Sequence, residues 1–218
     1  MITPLFLPDP TDNLLPYDGI VNNFGRIIDN SDRLYQQLLQ DLPWQSDTVT
    51  LFGKTHITKR QIVWMGDSDA NGQPLTYHYS GHSRQATAWT DSVFHVKQMI
   101  EQRIEKELAK QGITSKDAMF NACLLNYYPT GNEGMGYHSD DEPELGANPV
   151  IASVSLGATR KFVLKHKKTQ DKVELYLESG QLIVMRGATQ QYWKHCITKT
   201  KKVNTGRISL TFRQIISL

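Results

Sequence analysis

The apolar positions of this chain change period near its middle. Leu34, Leu38 and Leu42 recur at every fourth residue, which predicts a short amphipathic helix that opens with Ser31 as its N-cap and ends near Pro43. Val93, Val96, Ile100, Ile104 and Leu108 predict a second helix, capped by Asp91 or Ser92 and stopped by Gly112. Beyond Met119 the helical spacing gives way to short apolar runs separated by Gly or charged turns. Strands are predicted over 120–128, 151–156, 161–165, 173–177, 181–185, 191–196 and 207–215. Between the helices, residues 47–82 read as β-rich pieces broken by turn signals, notably Asp69-Ala70-Asn71-Gly72. Residues 1–30, rich in Pro, Asn and Asp, read as an extended arm packed on the body. Helices followed by a run of strands predict an α+β protein built on a mainly antiparallel sandwich or barrel. With no repeat, low-complexity segment or linker, the expectation is a single domain over 1–218: an N-terminal arm and helix to about 43, a middle region with a support helix over 44–118, and a β-core over 119–218.

Composition narrows this little. A chain of 218 residues with 39% hydrophobic and 21% charged content is that of an ordinary globular domain. The net charge of +2 permits an anionic partner without requiring one. The basic residues are clustered, however. From Lys194 to Arg207 four lysines and one arginine occur without an acid, and from Arg160 to Lys172 six basic residues stand against Asp171 alone. Cys123 and Cys196, the two cysteines, make neither a disulfide framework nor a zinc spacing and fit a reducing cytoplasm, or a nucleus in a eukaryote. The first ten residues lack a basic region followed by an apolar run, so no signal peptide is read there, and no stretch suits a membrane span.

The chemistry-bearing residues lie in the β-rich half. His138 and Asp140 form an H-x-D pair in a turn-rich stretch, and His195 follows in Trp193-Lys194-His195. Two imidazoles and a carboxylate can occupy one face of an octahedral metal and leave the other face open, as non-haem Fe(II) oxygenases require. Taken alone, the pair equally suits a surface histidine. In the run Arg207-Ile208-Ser209-Leu210-Thr211-Phe212-Arg213, strand alternation puts Arg207, Ser209, Thr211 and Arg213 on one face, with Leu210 and Phe212 on the other. Arginines pointing inward need anions, and a dicarboxylate supplies one at each end; on a solvent face they need none. Asn126 and Tyr128 share a face of the preceding strand and can donate to a carboxylate; by themselves they equally suit a core aromatic and a strand-end turn.

Taken together, Leu124-Leu125-Asn126-Tyr127-Tyr128, His138-Ser139-Asp140-Asp141-Glu142, Ile151 to Ala158, Trp193-Lys194-His195 and Arg207 to Arg213 resemble, in order and spacing, the catalytic core of the AlkB family of nucleic-acid demethylases. The resemblance implies a double-stranded β-helix (jelly-roll) core with N-terminal helices and a nucleotide-recognition lid. It implies Fe(II) at His138, Asp140 and His195. It also implies 2-oxoglutarate at Asn126, Tyr128, Arg207 and Arg213, with O2 as the second co-substrate. One departure is Ser209, where the founding bacterial member has Asn; the shorter side chain weakens any contact of position 209 with the co-substrate.

The resemblance extends over about residues 44–216. Leu51-Phe52-Gly53-Lys54 is similar to the apolar finger of the duplex-acting branch, and Tyr77-His78-Tyr79-Ser80-Gly81 to its base-binding segment. On this reading Phe52 wedges into the duplex, and Tyr77 or Tyr79 sandwiches a flipped base against His138. Glu142 and Asp141 face the cationic lesion. Each has a plainer alternative: a core aromatic, strand packing or a surface acid. Phosphate contacts are expected from Arg160, Lys165, Lys167, Lys168, Lys199, Lys201 and Lys202, with Lys167 and Lys168 preferred because they sit at a hairpin end. The function expected is oxidative removal of N-methyl groups from DNA bases such as 1-methyladenine and 3-methylcytosine by a monomer, releasing formaldehyde, succinate and CO2. RNA or a protein side chain as substrate, a non-catalytic binder of damaged DNA, and a zinc hydrolase stand as alternatives. The last leaves Arg207 and Arg213 without a task.

Overall fold

The computed structural model describes residues 9–216 apart from 52–53, 70, 80–81, 113 and 115–117. The strands are β1 (Ile20–Arg26), β2 (Gln45–Leu51), β3 (Lys54–Gly66), β4 (Thr76–Tyr79), β5 (His82–Gln85), β6 (Ala122–Tyr128), β7 (Met135–His138), β8 (Ile151–Gly157), β9 (Arg160–His166), β10 (Lys172–Leu177), β11 (Gln181–Arg186), β12 (Trp193–Ile197) and β13 (Arg207–Arg213). The helices are α1 (Ser31–Asp41), α2 (Asp91–Leu108) and the single turn α3 (Thr189–Tyr192). A major sheet runs in the order β1-β11-β8-β13-β6-β3-β2 and a minor sheet in the order β10-β9-β12-β7, while β4 and β5 form a separate hairpin. Two facing antiparallel sheets of this kind are the jelly-roll expected from the sequence.

Alternation along the central strands builds the layers. Cys123 and Leu125 of β6, Ala152, Val154 and Leu156 of β8, Leu182 and Val184 of β11, and Ile208, Leu210 and Phe212 of β13 pack with Leu38 and Leu42 and with the α2 stripe Val93, Val96, Ile100, Ile104 and Leu108. The opposite faces of the same strands meet the minor sheet, where Ile151, Phe162, Leu164, Ile183, Met185, Trp193 and Ile197 form a second core. The site lies between these sheets. No helix among the described residues is long and apolar enough to cross a membrane.

Several boundaries differ from expectation. The arm contains an edge strand: β1 pairs antiparallel with β11. Its alternation is hidden by Asn22, which is fully buried because it accepts from Arg186 Nε at 2.9 Å and donates to the Asp12 carbonyl at 3.1 Å. Asn30 holds the N-cap position of α1, making Ser31 its first residue. Thr90, rather than Asp91 or Ser92, caps α2 by accepting from the Val93 N–H at 3.5 Å. Gly112 terminates that segment as expected, with a left-handed φ of 78°. The predicted strand over 191–196 splits into α3 and β12, β13 ends at Arg213, and β7 emerges from a stretch whose glycines had concealed it.

Candidate active site

Pairing of β7 with β12 places His138 directly opposite His195. Cross-strand partners bring their side chains within reach, and here the ring centroids are 4.3 Å apart. Asp140 follows two residues after the strand end. Its Oδ1 is 3.8 Å from His138 Nε2 and its Oδ2 is 3.8 Å from His195 Nε2. One ligand atom from each residue lies within 4.8 Å of the others. The surroundings hold this set in place. Gly136 O lies 2.9 Å from His138 Nδ1, so that nitrogen carries the proton and Nε2 offers its lone pair. The Asp140 N–H donates to buried Gln190 Oε1 at 3.0 Å, and Ser139 Oγ donates to the Trp193 carbonyl at 2.9 Å. Arg213 Nη2 donates to Asp140 Oδ1 at 2.9 Å. Phe162 stacks on His195 at 5.4 Å.

The electrostatics suit metal ligation. Burial would raise the Asp140 carboxyl, but Arg213 and the two histidines outweigh it and hold it down at about 2. Burial, helped by His138 and Arg213, pulls His195 down to about 3, so its imidazole is neutral. An ionised carboxylate and a neutral imidazole are the forms that bind a cation. Asp140 Oδ2 is buried with no hydrogen-bond partner, a deficit that a divalent ion repairs.

The other end of the cavity is cationic. The register of β13 against β6 sets Arg207 beside Tyr128 and Ser209 beside Asn126, and pairing with β8 sets Ser209 beside Ser155. Arg207 is 1% exposed and donates from Nη2 to Ser155 Oγ at 2.8 Å, whereas its Nε and Nη1 have no partner. Its guanidinium lies 5.6 Å from the centre of the Tyr128 ring. Burial lowers it to about 10, partly offset by Tyr128, so it remains charged at neutral pH. A buried cation with unused donors in a fork geometry fits a carboxylate. Asn126, Tyr128, His138, Asp140, His195, Arg207, Ser209 and Arg213 all line this cavity, closed in by Leu124, Met135, Phe162, Met185 and Ile197. Both arginines thus lie on the strand face that lines the cavity, as alternation predicts, and Ser209 lines it despite its shorter side chain.

The remaining candidates divide. Glu142 is half-buried at the start of the turn Pro143–Leu145, and exposed Asp141 pairs with Lys167 at 3.4 Å; neither lines the cavity. Tyr77 and Tyr79 lie in β4, but their side chains, like Phe52 entirely, fall outside the described residues. Lys167 and Lys168 do occupy the β9–β10 hairpin, with Lys168 exposed. Lys199, Lys201 and Lys202 are exposed as well. Arg160 corrects the expectation of a phosphate contact. It is 1% exposed and donates to the carbonyls of Thr130 (3.0 Å), Gly131 (3.2 Å), Glu133 (2.7 Å) and Thr198 (2.8 Å). The strand parity that groups it with Phe162 and Leu164 was the overlooked signal. Sequence reasoning also missed Gln190 and Ser155, which act through backbone and arginine contacts that no motif encodes.

Comparison with known proteins adds an independent line. Residues 21–213 match the model of the 2OG-Fe(II) oxygenase superfamily. The chain is 31% identical to human alpha-ketoglutarate-dependent dioxygenase alkB homolog 3, covering 95% of this chain and 68% of that protein. To the human DNA oxidative demethylase ALKBH2 it is 32% identical, with 88% and 66% covered. Against the bovine homolog 3 the match spans 62% of the relative's length. Among solved structures, OsALKBH1 superposes with a TM-score of 0.57 at 18% identity, over 92% of this chain and 98% of that one. An oxidoreductase of the 2OG-Fe(II) oxygenase family from Burkholderia pseudomallei gives 0.58 at 16% identity, over 90% and 84%.

Proposed function

The chain belongs to the AlkB family within the 2OG-Fe(II) oxygenase superfamily, and from that premise we propose that it oxidatively demethylates alkylated bases in nucleic acid, with DNA as the substrate. The observation that carries the reading is one cavity with a His138-Asp140-His195 cluster at one end and the Arg207 guanidinium, whose Nε and Nη1 have no partner, at the other. His138, Asp140 and His195 would hold Fe(II), which with 2-oxoglutarate and O2 would supply the oxidant that hydroxylates an N-methyl group; the N-hydroxymethyl product loses formaldehyde by C–N cleavage, and the co-substrate leaves as succinate and CO2. The protein's own part is positional. Arg207 and Tyr128 grip the distal carboxylate, and Asn126 donates from the neighbouring strand. Arg213, by holding Asp140 Oδ1, leaves Oδ2 free to ligate. The apolar wall excludes water that would compete for the open face.

A polyanionic substrate is supported by the minor sheet. Lys172 pairs with Lys165, and Lys165 with Lys194, so three lysines form one row across adjacent strands. Like charges directly opposite destabilise a sheet, and phosphates lying over the row relieve that repulsion. We assign base recognition to Tyr77, Tyr79, Glu142 and Asp141, and duplex entry to Phe52, on their sequence context. The test is a panel of oligonucleotides carrying 1-methyladenine or 3-methylcytosine as duplex DNA, single-stranded DNA and RNA. Formaldehyde release and base repair should appear on DNA and require both Fe(II) and 2-oxoglutarate. Turnover confined to RNA would overturn the DNA assignment.

A further inference from the structure

Behind the co-substrate end of the cavity lies a buried ion pair that the mechanism above does not use. Arg60 of β3 is 4% exposed and Asp47 of β2 is 2% exposed. Arg60 Nη2 donates to Asp47 Oδ2, and Nη1 donates to Oδ1 of Asn126 at 2.5 Å. A local irregularity accompanies this placement. Ser46 pairs with Gln61 and Thr48 with Ile57, so β2 advances two residues while β3 advances four. The surplus falls at Thr58, Lys59 and Arg60, where Thr58 Oγ1 donates to the Arg60 carbonyl at 2.8 Å. Arg60 lies two residues before Ile62, the cross-strand partner of Asn126, so alternation aims it toward Asn126, and the bulge sets it opposite Asp47.

The chemistry of the contact fixes the amide. A guanidinium only donates, so the Asn126 atom facing it is the carbonyl oxygen. Nδ2 is thereby turned the other way, and Asn126 lines the cavity. An unrestrained asparagine can offer either end, yet a carboxylate or keto oxygen accepts only from the nitrogen. A buried ion pair is also a poor source of stability beside apolar residues of similar volume, which directs attention to what it orients.

We infer that Arg60, clamped by Asp47, is a positioning residue that locks the Asn126 amide with Nδ2 facing the 2-oxoglutarate site, and so ties the β2–β3 hairpin to co-substrate binding. This rests on the dioxygenase reading of the cavity. The test is calorimetric titration of 2-oxoglutarate into oxygen-free, Fe(II)-loaded enzyme, with Fe(II) binding measured separately. Arg60→Lys keeps a cation against Asp47 but loses the second directed nitrogen. It should weaken 2-oxoglutarate about tenfold, with unchanged Fe(II) affinity and unchanged kcat at saturating co-substrate. In an Asn126→Ala background the same substitution should have no further effect on 2-oxoglutarate affinity. The joint change Asp47→Leu with Arg60→Met removes both charges, leaves neither orphaned, and should reproduce the loss. Wild-type affinity in either variant, or effects of Arg60→Lys and Asn126→Ala that simply add, overturns the relay. Failure of the wild-type enzyme to bind 2-oxoglutarate overturns the reading of the cavity and the relay with it.

Discussion

Replacing Arg207 by Met should make the ligand-free protein more stable and the co-substrate complex weaker. The side chain is 1% exposed, has Nε and Nη1 unpaired, and is held at about 10, well below the ordinary arginine value. That depression corresponds to roughly 3 kcal/mol of destabilisation of the charged form at neutral pH. Methionine of similar length removes the charge and fills the space, so the metal-free and co-substrate-free variant should gain on the order of 1–3 kcal/mol. In a chain of this size each kcal/mol moves the melting midpoint by about 2–4 °C, giving a rise of several degrees. Addition of 2-oxoglutarate at a hundred times its Kd should lift the Mn(II)-loaded wild type by about 2.7 kcal/mol. The variant should hardly respond, because losing a buried charge partner costs about 2–5 kcal/mol of binding. The assay is paired thermal melts with and without 2-oxoglutarate. Equal ligand-induced shifts in both proteins would refute a carboxylate at Arg207. A ligand-free variant melting several degrees lower would show that the buried charge is already compensated.

Other consequences are equally direct. His138→Ala should abolish Fe(II) binding by calorimetry and all succinate formation while leaving the circular dichroism spectrum unchanged, since its side chain is 25% exposed and packs at the cavity rim. The Asp140 carboxyl is depressed in the fold, so its contribution is complete above the ordinary carboxylate range and is lost as pH falls from about 4 towards 2. Denaturant titrations of metal-free protein should show wild type losing roughly 2 kcal/mol more than Asp140→Asn across that window. Arg160→Met strips the donors from four carbonyls, that of Gly131 in a buried residue and the others half-buried, and should cost on the order of 3 kcal/mol of stability, read by denaturant midpoint, with no change in the salt dependence of DNA binding. Changing Lys165, Lys172 and Lys194 to Glu should do the reverse, flattening the slope of log K against log salt with little effect on the midpoint.

The fold and the site were legible to different depths. The seven-residue run of β13 carries its own geometry, because alternation assigns each side chain to a face without reference to distant sequence. The shared face of the two arginines could therefore be read directly, whereas its inward direction, like the role of the histidines, followed only once family spacing was added. Arg60 escaped because its partners lie on two other strands, and the register that brings β2, β3 and β6 together is not encoded in any local run. β1 escaped because a buried asparagine, paired with Arg186, mimics a polar outward position. Arg160 belongs to the basic cluster by composition but to the inward face by strand parity, which it shares with Phe162 and Leu164, and parity decides its burial.

The two-faced character of β13 has a bearing on how this protein can change over evolutionary time. Every second residue serves the helix-packed core and the others serve the cavity, with neighbours hydrogen-bonded on both edges. Deleting one residue within the strand would invert the facing of every residue on one side of the deletion, sending a guanidinium group into the hydrocarbon interior or apolar side chains into the cavity. Length variation is therefore excluded from this segment, whereas point substitutions can drift independently on either side. The lineage is free to retune its co-substrate pocket by single replacements at alternate positions without renegotiating the packing of the helices, and new loop lengths must accumulate elsewhere, such as the exposed turn around Lys201 and Lys202.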